Sequence, residues 1–225
     1  MRAGLVELFR TTLLIIGALF PIVNPLGNTP IFLSLTRDFG SAARRVLARK
    51  IALNGFVLLV VSIFIGTHIL AFFGISIPVV QVGGGLVVIA TGWSLLNREE
   101  DDEEEAASSA KRKHHVNFAE RAFYPLTLPL TVGPGSISVA IAVGANRPER
   151  ADGQWPIILA ALIGSVLIAI SIYLSYRFAE RIARALGETA MKVLIRLSSF
   201  ILVCIGVQIL WNGVSALLNT LVAKH

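Results

Sequence analysis

The chain has 225 residues, of which 55% are hydrophobic and only 15% are charged, and its formal net charge is +6. So few charged residues cannot cover a soluble domain of this size, and the composition predicts a membrane protein with several spans. The basic residues fall in a few loops rather than along a stripe with interleaved aromatic side chains, which argues against nucleic acid as a partner.

Six apolar segments are long enough to cross the ~30 Å hydrocarbon core of a bilayer. They are Thr11–Leu35, Ile51–Phe73, Ile75–Leu96, Phe118–Val143, Trp155–Tyr176 and Leu197–Leu218. Three precede and three follow a charged stretch that contains seven consecutive acidic residues. We therefore expect an all-α membrane protein with a first three-helix unit over 1–97, a cytoplasmic linker over 98–117 and a second three-helix unit over 118–225.

The first apolar segment is interrupted by prolines. Proline lacks a backbone donor and clashes with the preceding turn, so Pro25 together with Gly27 is predicted to open the helix. Pro30 directly follows Thr29, a pattern typical of a helix that restarts with threonine as its N-cap and proline as its first residue. We therefore predict a helix that stops and starts again within this segment.

The interruption is repeated 104 residues later in the fourth segment. The matching pairs are Phe20/Tyr124, Pro21/Pro125, Pro25/Pro129 and Pro30/Pro134. One constant offset indicates that the chain is an internal duplication. Isolated prolines often do no more than kink a helix, but interrupted hydrophobic segments at corresponding positions of two halves point to the substrate site of a secondary transporter.

The distribution of lysine and arginine predicts the orientation in the membrane, because cytoplasmic loops carry the excess of these residues. Fifteen of the 20 follow the first, third and fifth segments: Arg37, Arg44, Arg45, Arg49, Lys50, Arg98, Lys111, Arg112, Lys113, Arg121, Arg177, Arg181, Arg184, Lys192 and Arg196. Both termini are thus predicted to lie outside. Because each half has three spans, the two repeats are predicted to be inverted, with the breaks of the first and fourth helices meeting at the midplane.

The two breaks predict a site for a small zwitterion. The restarting half-helices, at residues 29–31 and 133–135, have positive dipole ends that suit a carboxylate. The opened carbonyls of residues 23–26 and 127–130, with two asparagine side chains, suit an ammonium group, and the glycines leave room for a small ligand. The predicted substrate-binding residues are Asn24, Pro25, Gly27, Asn28, Thr29, Thr127, Pro129, Gly133, Pro134 and Gly135.

The remaining polar residues have two possible roles each. His68 is either a proton carrier or an interfacial histidine, and the second role is favoured by its place near a span end. Asn54, Gln81, Gln208 and Asn212 either line the cavity or bond between helices, and interhelical bonds are the favoured role for most of them. The glycines at 55, 66, 83–85, 92, 164 and 206 are predicted to allow close helix packing.

No metal, cofactor or enzymatic activity is expected. The lone Cys204 excludes an intrachain disulfide and a cysteine-rich metal site. The adjacent His114 and His115 make a weak metal site without further ligands, and they lie in the predicted linker. No arrangement of base and nucleophile is evident in the apolar segments.

The two interrupted motifs also carry a resemblance to a known family. Residues 24–30, Asn-Pro-Leu-Gly-Asn-Thr-Pro, together with Pro125-Leu-Thr-Leu-Pro129 and Gly133-Pro134-Gly135, resemble the MarC family of bacterial inner-membrane proteins, which includes the SnatA-type neutral amino acid transporters. The resemblance covers essentially the whole chain. It implies that small neutral amino acids, glycine and alanine in particular, bind at the two broken helices. A half-helix channel, an exporter of another small polar solute and a non-transporting membrane scaffold remain as alternatives.

Overall fold

The computed structural model describes residues 2–97, 118–145 and 155–222, and it is helical throughout apart from short turns. Its helices are α1 (Arg2–Val23), α2 (Thr29–Leu35), α3 (Ser41–Phe72), α4 (Ile77–Leu96), α5 (Phe118–Arg121), α6 (Pro134–Ala145), α7 (Trp155–Arg177) and α8 (Ala179–Val222). An irregular, kinked helical stretch, which we call the π segment, covers Ala122–Thr131. The predicted linker, with His114 and His115, and the loop at 146–154 lie outside the described residues.

Five of these helices are long and apolar enough to cross a membrane, namely α1, α3, α4, α7 and the part of α8 that covers Thr189–Val222. The π segment and α6, bent by 68° at their junction, count as a sixth span if the pair is taken together. The predicted all-α membrane class and the second broken span are therefore confirmed. The inverted relation between the two halves stays a prediction.

Three helices begin earlier than the apolar pattern indicated. The helix predicted from Thr11 begins at Arg2, and the one predicted from Ile51 begins at Ser41. The helix α8 is divided by a kink at Gly187, whose φ is 72°, and the span predicted from Leu197 begins directly after this kink, at Thr189. Hydropathy marks only the part of a helix that suits lipid, whereas charged residues continue the same helix beyond it.

The two breaks differ in their position along the helices. The helix α1 has 22 residues before the first break, and at 1.5 Å per residue its length of about 33 Å is enough to span the bilayer alone. The helix α2 adds only seven residues. The second break instead separates stretches of 10 and 12 residues. The first helix is therefore longer before its break than the apolar pattern indicated, because the residues before Thr11 extend it, and the position of this break at the midplane stays a prediction.

The restart of the first broken helix also differs from the prediction. Asn28, not Thr29, is the N-cap, and it makes no side-chain capping bond. The N–H of Thr29 bonds to the carbonyl of Leu26 at 3.1 Å, and its Oγ1 donates to the carbonyl of Pro25 at 3.0 Å. The threonine hydroxyl thus satisfies a carbonyl of the turn rather than capping α2. Pro134 begins α6, as the pattern predicted.

Glycines hold α4 against α8. A Cβ built on Gly85 would lie 2.6 Å from the backbone nitrogen of Leu210, and one on Gly206 would lie 2.7 Å from that of Ile89. The same close packing, with a heavy atom within 3.2 Å of the added carbon, occurs at Gly55, Gly66, Gly84, Gly92 and Gly164. The predicted packing role is wrong only for Gly83, which meets nothing within 4 Å.

Replacement of Gly85 by alanine should push α4 and α8 apart, because the added methyl group meets backbone. We expect the free energy of unfolding to fall by about 1–3 kcal/mol, measured as a lower melting temperature of the purified protein in detergent. Gly83→Ala on the same helix is the matched control, and it should leave the melting temperature unchanged or slightly higher, because alanine favours a helix more than glycine does. Equal melting temperatures for the two variants would contradict this packing.

Candidate functional site

The first break is shaped by an asparagine in an unusual backbone conformation. Asn24 has φ of 44°, in the left-handed region that asparagine tolerates better than most residues. Its Oδ1 accepts a hydrogen bond from the N–H of Gly27 at 3.1 Å. A side chain at position 27 would collide with Asn24. The sequence Asn-Pro-Leu-Gly therefore turns the chain and requires glycine at its end.

Asn28 joins the first break to the second. Its side chain is 5% exposed, and its Nδ2 donates to the carbonyl of Val23 and to the carbonyl of Leu130, both at 3.0 Å. Val23 is the last residue of α1, and Leu130 lies in the π segment. The two interruptions, far apart along the chain, are thus in direct contact.

The π segment owes its irregular backbone to its two prolines. Tyr124 and Leu128 have extended rather than helical dihedral angles, with φ of −125° and −106°. Each directly precedes a proline, Pro125 or Pro129, and the residue before a proline is disfavoured in the helical region. The chain therefore cannot form a regular α-helix across these positions.

Threonine hydroxyls replace the hydrogen bonds that the regular helix would have made. The Oγ1 of Thr127 donates to the carbonyl of Ala122 at 2.6 Å, and the Oγ1 of Thr131 donates to the carbonyl of Leu126 at 2.7 Å. Irregular backbone at membrane depth needs such partners, because lipid supplies none. The carbonyls predicted to be free for an ammonium group are largely occupied: those of Val23, Asn24, Pro25, Leu26, Thr127 and Leu130 all accept internal hydrogen bonds.

Side chains of α7 and α3 contact the π segment, and α2 supports the α7 side chain. The hydroxyl of Tyr176 lies 2.8 Å from Oγ1 of Thr131, and its ring stacks on Phe32 with 4.4 Å between the centroids. Asn54 on α3 donates to Oγ1 of Thr127 at 3.4 Å. These contacts fix the irregular backbone against α7 and α3, and Phe32 of α2 positions the Tyr176 ring.

A cavity of about 620 Å³ lies between the two breaks and α4. Its polar lining side chains are Asn24, Asn28, Thr91, Ser94, Thr131 and Ser136. No charged side chain is among its lining residues within the described part of the chain. The cavity reaches Leu35 at the end of α2 and Leu95 near the end of α4. It therefore suits a solute without net charge.

Six of the ten predicted site residues line this cavity: Asn24, Asn28, Pro129, Gly133, Pro134 and Gly135. The other four, Pro25, Gly27, Thr29 and Thr127, are buried and are not among the lining residues. Thr29 and Thr127 are fully buried, and both hydroxyls donate to backbone carbonyls. These four residues shape the two breaks, and the breaks place the other six residues around the cavity.

The start of α6 is the clearest place for an anionic group. Gly135 and Ser136 line the cavity within the first turn of this 12-residue helix. The first N–H groups of a helix have no intrahelical acceptor, and the helix dipole favours negative charge there. The helix α2 has only seven residues, so its dipole offers less than the sequence led us to expect.

Sequence reasoning missed the contribution of α4. Thr91 and Ser94 on this helix line the cavity, and Thr91 also donates to the carbonyl of Val87 at 2.8 Å. Residues three positions apart share one face of a helix. Two hydroxyls at this spacing near the end of a largely apolar segment were the available signal.

The other polar residues lie away from the cavity. His68 is exposed on α3 and does not line it. Gln208 bonds to Asn212 within α8 at 2.9 Å, so the predicted interhelical role of this pair is wrong. Asn54 does make its predicted bond to another element. Among the described residues no cluster of histidine, cysteine, aspartate or glutamate could hold a metal ion.

The comparisons with known proteins agree with the motifs. The profile of the MarC family integral membrane proteins matches residues 9–218. The chain belongs to the MarC family. It is 31% identical over 219 residues to the inner membrane protein MarC of Escherichia coli strain K12, covering 96% of this chain and 99% of that protein. The same figures hold for the inner membrane protein MarC of Shigella flexneri. No solved structure matches the chain significantly.

The family match confirms the resemblance that the two interrupted motifs carried, and the relatives named above identify this MarC protein as an inner-membrane protein. The SnatA-type transporter subtype remains a prediction.

The Asn28 bridge predicts a specific loss of stability. Asn28→Ala leaves the carbonyls of Val23 and Leu130 without their donor, which should lower the free energy of unfolding by about 1–3 kcal/mol. Thermal unfolding of purified protein measures it. Asn212→Ala removes an exposed asparagine that bonds only within α8, and should change stability by less than about 0.5 kcal/mol. Equal melting temperatures for the two variants would contradict a stabilising role of the Asn28 hydrogen bonds.

Proposed function

We propose that this MarC protein is a secondary transporter of small neutral amino acids, glycine and alanine, which bind in the cavity between the two breaks. The observation that carries the proposal is that two interruptions at matching positions of the sequence are joined by Asn28 and line one uncharged cavity. Broken helices at corresponding positions of two halves are typical of transporter substrate sites.

The chemistry of the lining supports a zwitterionic solute. The first turn of α6, at Gly135 and Ser136, presents backbone donors to a carboxylate. The side-chain oxygens of Thr91 and Ser94, on α4, are acceptors for an ammonium group. With no charged side chain in the lining of the described cavity, a solute with net charge finds no counter-charge.

Alternating access follows from the proposed inverted repeats. In this proposal both termini lie outside, and the cavity reaches toward the ends of α2 and α4 that face the cytoplasm. The basic residues after the first, third and fifth predicted spans support that orientation.

The proposed orientation can be tested with a single cysteine placed in the 98–117 stretch of a Cys204→Ala protein. This cysteine should resist a membrane-impermeant thiol reagent in intact cells, and its labelling would show that the orientation is the opposite one.

The size of the cavity favours one alternative. A volume of about 620 Å³ falls in the ~300–1,000 Å³ range of sites for much larger molecules. A larger neutral polar solute, exported or passed through a channel, is therefore the second candidate. Water fills the remaining volume when glycine is the solute.

Flux into proteoliposomes separates these possibilities. We expect saturable uptake of labelled glycine, accelerated by unlabelled glycine or alanine inside the vesicles. Glycinamide, which lacks the carboxylate, should compete poorly. Unsaturable flux would indicate a channel, no flux of any small solute would indicate a scaffold, and equal competition by glycinamide would contradict carboxylate recognition.

A charge placed at the start of α6 should block binding. Gly133 directly precedes the helix and lines the cavity. A Cβ at this position would lie 2.9 Å from the carbonyl oxygen of Pro129, and this steric cost is the same for aspartate and for asparagine. Two like charges ~4 Å apart at an effective dielectric of about 20 repel by about 4 kcal/mol, which weakens glycine binding about a thousandfold. Gly133→Asp should therefore abolish glycine binding in a titration, relative to Gly133→Asn, which has the same shape without the charge. Equal affinities in the two variants would show that no carboxylate binds there.

A further inference from the structure

A second cavity, of about 370 Å³, lies among α2, α3 and the junction of α7 with α8. Its charged lining residues are Arg44, Arg45, Arg177, Arg181, Arg184 and Glu180. We call it the arginine cavity. None of the ten predicted site residues lines it, so it is separate from the site described above.

The arginine cavity has a large excess of positive charge. Five arginines face a single carboxylate, that of Glu180, which forms an ion pair with Arg44. Four positive charges remain uncompensated by the lining residues of the described chain. Like charges gathered around one cavity repel one another, and a bound anion removes that repulsion.

Three of the arginines are fixed in place by contacts with the protein. The Nε of Arg44 donates to the carbonyl of Phe39 at 2.8 Å. Arg177 donates from Nη1 to the hydroxyl of Tyr173 at 2.9 Å. The Nε of Arg184 donates to the carbonyl of Glu180 at 3.3 Å. Each still has guanidinium N–H groups to donate, since arginine has five.

The other two arginines have their hydrogen-bonding capacity available. Within the described ranges Arg45 and Arg181 make no hydrogen bond or ion pair, and both are exposed. The guanidinium of Arg181 lies over the ring of Phe178, 5.5 Å from its centroid. A planar fork of donors fits the oxygens of a phosphate group in a bidentate manner.

The arginine cavity lies at the end of a membrane span. The helix α7 is a candidate span that ends at Arg177, and the chain continues through Phe178 into α8. This is the depth of lipid headgroups in a spanning protein. Basic pockets between helices on the cytoplasmic side of membrane proteins bind anionic headgroups.

We propose that the arginine cavity binds a phosphate group, either that of an anionic phospholipid headgroup or a free phosphate anion. The several oxygens of a phosphate accept from more than one arginine at once, which a single carboxylate does less well. The uncompensated charge, the available donors of Arg45 and Arg181, and the location at the end of α7 all fit this ligand. The proposal does not depend on the transported solute.

Titration of the purified full-length protein in detergent tests it, with melting temperature as the readout. The probes are short-chain phosphatidylglycerol, short-chain phosphatidylcholine and inorganic phosphate. We expect phosphatidylglycerol to stabilise the protein at a concentration at least about 10-fold below phosphatidylcholine, because the arginines repel the choline cation that phosphatidylcholine carries beside its phosphate, whereas phosphatidylglycerol has no such cation. Equal stabilisation by the two lipids, with no response to phosphate, would overturn the proposal.

A pair of variants shows where the ligand binds. Arg45→Gln with Arg181→Gln should weaken the phosphatidylglycerol response about 100-fold, at one factor of ten for each arginine. Arg37→Gln with Arg49→Gln removes the same charge from exposed positions outside the cavity and should change it less than about threefold. Equal loss in both double variants would mean general charge attraction and would overturn the site.

The titration with inorganic phosphate identifies the source of the ligand. If inorganic phosphate stabilises the wild-type protein at a lower concentration than phosphatidylglycerol does, and loses this effect in the Arg45→Gln, Arg181→Gln variant, the ligand is free phosphate. If the lipid acts at the lower concentration, or only the lipid acts, the ligand is the headgroup. Both results support a phosphate site, whereas an unchanged response of that variant to every probe would contradict it.

Discussion

The structure depends on one side-chain amide. Asn28 donates to the carbonyl that ends α1 and to a carbonyl of the π segment, so a single buried group satisfies two backbone acceptors that lipid would leave unpaired. Around it, Asn24 turns the chain, and Thr29, Thr127 and Thr131 satisfy further carbonyls of the breaks. Each interruption alone would leave backbone groups unpaired in a membrane, and the contact between the two interruptions supplies part of the missing hydrogen bonds. The uncharged cavity exists because they meet.

Two chemically different cavities lie on either side of Tyr176. Tyr176 lines the arginine cavity, while its hydroxyl bonds to Thr131, which lines the uncharged cavity between the breaks. Stacking of Phe32 on the Tyr176 ring ties α2 to this connection. A ligand in the arginine cavity therefore lies one side chain away from the backbone that shapes the central cavity. Charge is kept at the membrane surface and excluded from the proposed transport site.

The sequence predicted the breaks well because prolines act locally: Pro25 and Pro134 lie where one helix has ended and another begins. It failed where competing local roles had to be ranked. Thr29 was expected to cap α2, but its hydroxyl reaches back to Pro25 and the capping position belongs to Asn28. The sequence also could not predict contacts that depend on packing, such as the Asn28–Leu130 hydrogen bond and the cavity wall formed by Thr91 and Ser94. Hydropathy placed the spans but missed the charged ends of α1, α3 and α8.

The central claim is that the cavity between the breaks holds a small zwitterion at the start of α6. Ser136 lies there and lines the cavity, and Cys204, which is exposed, can be removed as Cys204→Ala. The direct measurement is the rate at which a small neutral thiol reagent modifies Ser136→Cys in that background, with and without amino acid. The account predicts that glycine and alanine slow the reaction to a saturable limit, and that glycinamide does not. A rate unaffected by any concentration of glycine would contradict it.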